Sequence, residues 1–201
     1  MIGLSEVKNV SPMTITPPSV QVTYREFKAT QAAARLLRLA GGTLNHMKLI
    51  KLLYLAERRA IINWGRPITF DWYYSLPHGP VLSFTLNKIN ESAPPDGSSY
   101  WHKYISERCG YEVNLLGEAP EDQLSPAEEG LLDSIWSEFG RMDQWQLRDY
   151  SHKLPEWRDP HGSRLPIEIQ DILLAEGFSD DDVDEVMSTL SAEEFAAKLN
   201  D

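Results

Sequence analysis

His46-Met47-Lys48-Leu49-Ile50-Lys51-Leu52-Leu53-Tyr54-Leu55-Ala56-Glu57-Arg58-Arg59-Ala60-Ile61-Ile62-Asn63-Trp64-Gly65 is the stretch that decides the fold. Leu49, Leu52, Leu53, Ala56, Ala60 and Ile61 recur at three- and four-residue intervals, so a helix gathers them on one broad apolar face. Lys48, Lys51, Arg58 and Arg59 fall largely off that face. Thr43 is the expected N-cap and Gly65 the stop, which sets the helix at about 44–64. A face this wide needs cover from several neighbours, and the helix is expected to form the core of the domain.

Upstream, Phe27, Ala33, Ala34, Leu37 and Ala40 predict a helix from about Thr23 to Ala40, halted by Gly41-Gly42. Residues 1–20, with Pro12, Pro17 and Pro18 and no periodicity, read as a flexible leader. Downstream, the aromatic stretch 67–75 is too short for a helix and is expected to be a strand or extended loop. Pro80 suits the first turn of a helix over about 80–91. Residues 92–99 form a loop, and 111–116, where Tyr111, Val113 and Leu115 alternate with polar residues, form a second strand expected to pair with the first. Ser125-Pro126-Ala127-Glu128 is a capping box that opens a helix to about Gly140, and Asp143 caps another over 143–153. Pro166 is expected to open a helix ending at Gly177, and Ser179 and Ser191 each to cap a short acidic helix, the second closed by Glu194. The fold class is therefore mainly α: a compact multi-helix domain over 21–177 with a small two- or three-stranded β element, followed by an acidic helical extension over 178–201.

Charge sharpens that division. The 201 residues carry a net charge of −11. Residues 168–201 hold eleven acids and one base, Lys198, while the rest is close to neutral. An acidic end repels phosphate, so direct nucleic-acid binding is not expected, and a basic protein surface is its natural complement. The near-neutral body has no basic stripe or arginine-rich recognition helix, which argues against a DNA-binding regulator. One cysteine, Cys109, makes no internal disulfide. With no apolar run long enough to span a membrane and no signal-peptide pattern, a cytoplasmic protein without a membrane partner is expected.

Catalytic chemistry finds little footing. There is no glycine-rich phosphate loop, no His-Glu-x-x-His helix and no nucleophile elbow. Among His46, His78, His102, His152 and His161 no two stand at helical ligand spacing. A metal site from His152, His161, Asp149 and Asp159 is the best available and is outweighed by a structural role, with His152 bridging buried polar groups. No metal and no cofactor are expected. Aromatic residues are the stronger signal. Trp72, Tyr73, Tyr74, His78, Trp145, Tyr150 and Trp157 cluster in two segments, and such rings mark either a core or a binding hot spot. Trp145 and Trp157 read as core or loop-anchoring rings, and Tyr73 and Tyr74 as candidates for contact.

Three segments together resemble the Panacea (SocA-like antitoxin) family. They are Met47–Ala56, similar to the family's Lys-Leu-x-Lys-Leu-Leu-Tyr helix; Pro77–Leu82, similar to its Gly-Pro-Val turn; and Leu124–Trp157, a helix opened by Leu-Ser with His152 and Trp157 five apart. The match covers about 25–175. The Leu-Pro-His lead into Gly79 departs from the family's polar turns, and the acidic extension lies outside the match. The resemblance implies a bacterial, prophage-associated antitoxin that binds a cognate toxin rather than an enzyme. One alternative is an adaptor that delivers the toxin to a protease, another a metal-dependent hydrolase. It also implies structural roles for Leu49, Leu52, Leu53, Tyr54, Gly79, Pro80, Val81, His152 and Trp157. The toxin surface is then expected on Asp71, Trp72, Tyr73, Tyr74 and His78, and on Asp181, Asp182, Val183, Val186, Met187 and Phe195. In the tail, Val183, Val186, Met187, Leu190, Phe195 and Leu199 would form an apolar stripe lying in a groove of the partner.

Overall fold

The computed structural model describes residues 23–198. The expected leader over 1–20 and Leu199 lie outside them. In chain order the elements are α1 (Glu26–Leu39), β1 (Thr43–Asn45), α2 (His46–Trp64), β2 (Tyr73–Leu76), β3 (Gly79–Leu82), α3 (Ser83–Asn90), α4 (Tyr100–Tyr104), β4 (Glu112–Asn114), α5 (Pro126–Phe139), α6 (Gln144–Ser151), β5 (Leu165–Ile167), α7 (Ile169–Ala175) and α8 (Asp180–Lys198). The domain is mainly α with two small antiparallel sheets.

Asn45 opens α2. Its side-chain oxygen accepts from the N–H groups of Met47 (2.9 Å) and Lys48 (3.3 Å), two of the donors a helix start leaves bare. Thr43, the expected cap, lies two residues too early and instead begins β1, opposite Asn114 of β4. Gly65 ends α2 in the left-handed conformation, as expected. Every residue from Leu49 to Glu57 is buried, so α2 is enclosed on all sides. It packs against α1, α5, α6, α7 and the β2–β3 hairpin. Lys51, placed off the apolar face by periodicity, is 1% exposed, because its amine is satisfied inside the fold.

Two prolines expected to start helices sit in strands. Pro80 lies in β3 opposite Ser75, and Pro166 in β5 opposite Tyr74. The sheet order is β3-β2-β5, so both occupy edge strands, where a missing N–H breaks no ladder. α3 therefore begins at Ser83 and α7 at Ile169. The strands near 67–75 and 111–116 exist but do not pair together: β2 pairs with β3 and β5, while β4 pairs with β1. Tyr111 precedes β4 and is 75% exposed.

The Ser125–Glu128 capping box and the Asp143 cap form as expected, and Gln146 closes a further box with Asp143. The acidic end is one helix, not two. Ser179 caps it through Asp182. With no glycine or proline to break the chain, Ser191 stays inside α8 and its hydroxyl turns back to the Met187 carbonyl. Much of the apolar stripe faces inward: Val183 and Leu190 are buried and Val186 and Met187 half-buried, so these side chains cover the body, while Phe195 stays exposed. Among the described residues no helix is long and apolar enough to cross a membrane.

Leu53, 2% exposed, sits in this core. Leu53→Ala should lower unfolding free energy by about 2–5 kcal/mol, the range for cavity-forming truncations, as read by urea denaturation.

Candidate functional site

The three motif segments meet in one internal knot. Lys51 Nζ donates to the Pro80 carbonyl at 2.7 Å. Tyr54 donates to Glu156 at 2.9 Å, and Arg58 Nε reaches the same carboxylate at 2.8 Å. Trp157 Nε1 donates to the Leu76 carbonyl at 3.2 Å and so ties the segment after α6 to the hairpin. The His152 ring stacks on Trp157, centroids 4.0 Å apart. His152 does not bridge polar groups as expected: its Nε2 is buried without a hydrogen-bond partner. Burial, then the nearby Lys51 charge, lowers its pKa and favours the neutral ring that stacks. Gly79 stands at the centre with φ +92°, where a Cβ would lie 2.5 Å from Ser151 Oγ and 2.8 Å from Lys51 Nζ. Only glycine fits both the backbone and the space.

Buried carboxylates pin the irregular chain around the knot. Glu57 accepts from the N–H groups of Ile68 (3.0 Å) and Thr69 (2.8 Å) and from the Tyr73 hydroxyl (2.9 Å). Asp71 accepts from Phe84 N (2.8 Å), Thr85 N (2.8 Å) and Thr85 Oγ1 (2.7 Å), capping α3 from a distant segment. Desolvation outweighs these donors and raises Glu57 to about 7 and Asp71 to about 6.

These placements sort the residues expected to face a toxin. Asp71, Tyr73 and Tyr74 are buried, at 5%, 3% and 4% exposure. Their polar atoms and rings serve the fold, so they offer a partner no surface. Trp72 is half-buried against Phe84, and His78 stands exposed at the hairpin tip. On α8, Asp181, Asp182 and Phe195 are exposed, Val183 is buried, and Val186 packs on Gly65. Met187 lies beside Asp71, Trp72 and Tyr73, so the aromatic segment and α8 meet while His78 stays apart. Among the described residues no group of three or more His, Cys, Asp or Glu side chains could hold a metal ion.

One surface feature was not read from the sequence. A cleft of about 250 Å³ opens beside the hairpin. His46, Met47, Ile50 and Lys51 of α2 form one wall; Leu76, Pro77, His78 and Val81 of the hairpin form another; Leu86 of α3 closes it. Its mouth carries two exposed aromatic rings. Tyr111 stacks on His46 (6.2 Å), and Trp145, 48% exposed and not a core ring, meets His78 edge-on (6.4 Å). Only tertiary packing brings these four together; their sole signal in the sequence is residue type.

The fold and the cleft define a mainly α-helical domain that holds its polar motif inside and presents aromatic residues outside. The chain belongs to the antitoxin SocA-like, Panacea domain family, whose model matches residues 49–158, more than half its length. No curated protein and no solved structure matches it. The matched span holds the whole knot and most of the cleft, and α8 lies beyond it.

Gly79→Ala should destabilise the protein by about 2 kcal/mol or more, from backbone strain and the clash at Lys51 and Ser151, seen as a lower denaturation midpoint. Lys51 gives a pH signature. Desolvation lowers its amine from 10.5 to about 7 in the fold, so between these values the unfolded chain holds a proton that the folded one lacks. Stability therefore rises with pH across that window, and below it the cost of the buried charge is fully present and no longer changes with pH. Relative to Lys51→Met, the unaltered protein should gain about 1.4 kcal/mol per pH unit between roughly pH 7.5 and 9.5. A flat difference would mean that the buried amine keeps its proton.

Proposed function

We propose that this protein is an antitoxin that neutralises a cognate toxin by direct complex formation, acting by binding and not by catalysis. Family membership carries the reading. The division between inside and outside supports it: the motif residues build an internal scaffold, which leaves the surface open to set partner choice. That surface offers the cleft with its exposed aromatic rim and the acidic outer face of α8, where Asp180, Asp181, Asp182, Asp184 and Glu185 are exposed. Tyrosine and tryptophan at a cleft mouth have hot-spot composition, and the acidic face complements a basic toxin surface.

A second reading has one feature in its favour. Val186 of α8 abuts Gly65 at the C-terminal end of α2, whereas the cleft adjoins His46 and Met47 at its N-terminal end. Nineteen residues of helix separate the two, about 28 Å. Surfaces so far apart suit an adaptor that holds a toxin at one and a protease at the other.

Expression of the neighbouring reading frame in a heterologous bacterium, alone and together with this chain, tests both. Growth arrest alone, rescue together and co-purification of an intact pair are the expected outcome. Rescue with a shortened toxin half-life and no stable pair would make the protein an adaptor, and arrest without rescue would remove that neighbour as its target.

A further inference from the structure

The cleft lacks the acids that dominate the whole chain. In a protein of net charge −11, no carboxylate lines it. His46, Lys51 and His78 are its polar lining. Two arginines stand beside it: Arg108 reaches His46 Nε2 at 3.5 Å, and the Arg148 guanidinium lies 5.0 Å over the Trp145 ring. Of the acids in neighbouring positions, Asp149 is paired with Arg148, and Glu112 follows Tyr111 on the solvent side. Lys51 is buried, donates to a carbonyl and takes part in no ion pair among the described residues.

The cleft is also open. Its walls are side chains already fixed by the fold: α2 is enclosed by its neighbours, and the hairpin is tied down by Lys51 and Trp157. A space of about 250 Å³ holds one or two large side chains without rearrangement. Tyr111 and Trp145, in contact with the lining residues His46 and His78, have most or about half of their surface in water. Rigid aromatic rings beside a preformed apolar space bind at low entropic cost.

We infer that the cleft seats a segment of the toxin that inserts an apolar side chain and sets an acidic residue against the His46–Arg108 side. The apolar side chain fills the space, and the carboxylate meets Arg108, which forms no ion pair among the described residues. The inference rests on the antitoxin reading and assigns that reading a docking place and a partner chemistry opposite to that of α8.

The test uses the full chain and the toxin encoded beside it. His78→Glu adds a negative charge at an exposed hairpin tip, and Trp145→Ala removes an exposed ring, so neither disturbs the core; Asp181→Lys on α8 is the comparison. Tyr111 is replaced in a further variant by a photocrosslinking benzoylphenylalanine. Each cleft variant should melt like the unaltered protein yet bind the toxin at least about tenfold more weakly, and the crosslinked toxin peptide should carry an apolar side chain flanked by Asp or Glu. Binding within about twofold of the unaltered chain, a crosslink to a basic toxin segment, or a crosslink to a second copy of this chain would overturn the docking place. Failure of the unaltered chain to rescue growth would instead overturn the antitoxin reading and remove the occupant with it.

Discussion

The bond from the Lys51 ammonium to the Pro80 carbonyl is the contact on which the functional end of the molecule depends. Desolvating an amine is costly, and an apolar residue at 51 would suit the surrounding helix better by hydropathy alone. Such a residue would leave the Pro80 carbonyl of a buried edge strand without a donor. The amine therefore fixes the β2–β3 hairpin against α2, and the close approach this needs explains why position 79 has no side chain. Leu76, Pro77, His78 and Val81 then stand where they form the cleft wall. Without this tether the hairpin would be held only by β5 and by the Trp157 bond to the Leu76 carbonyl.

The same device recurs with the opposite sign. Residues 66–72 run between α2 and β2 without regular pairing, and Phe70 adopts a left-handed backbone (φ 54°). Backbone N–H groups there need acceptors. Glu57 supplies them for Ile68 and Thr69, and Asp71 in turn caps α3. Glu26 does likewise for α4 by accepting from Trp101 N. Charged side chains thus act here as internal splints for irregular chain: α3, which has no cap of its own, borrows one from Asp71, and α4 gains a second beside its own Ser99.

This explains what the sequence could and could not reveal. Signals complete within a few residues were legible: the Ser125–Glu128 box, the Asp143 cap, the Gly65 stop, and the apolar repeat of α2. Signals that depend on distant partners were not. Lys51 reads as lying off the apolar face because hydropathy counts a charge as outward, while its partner is a carbonyl invisible to periodicity, and nothing in the sequence marks Glu57 as an acceptor for distant amides. Pro80 and Pro166 are as compatible with an edge strand as with a helix start, and only the order β3-β2-β5 decides between them. The inward turn of Val183 and Leu190 and the meeting of Tyr111 with His46 likewise arise from packing. The site was therefore half legible: its motif residues could be named, its open surface could not.

Charge along α2 carries the argument one step further. A helix is stabilised by acids near its N-terminus and bases near its C-terminus, each by about 0.3–1 kcal/mol. α2 has no acid in its first turn and no base in its last. Around its N-terminal end stand His46, Lys51 and His78, and beside Gly65 at the other end stand Asp182 and Glu185 of α8. The acids of α8 run against the helix dipole, so the stability of α2 does not account for them, and they stand about 28 Å from a cleft that no acid lines. The motif residues are taken up by the interior, so these two surfaces of unlike character are what the fold leaves for the contacts proposed above.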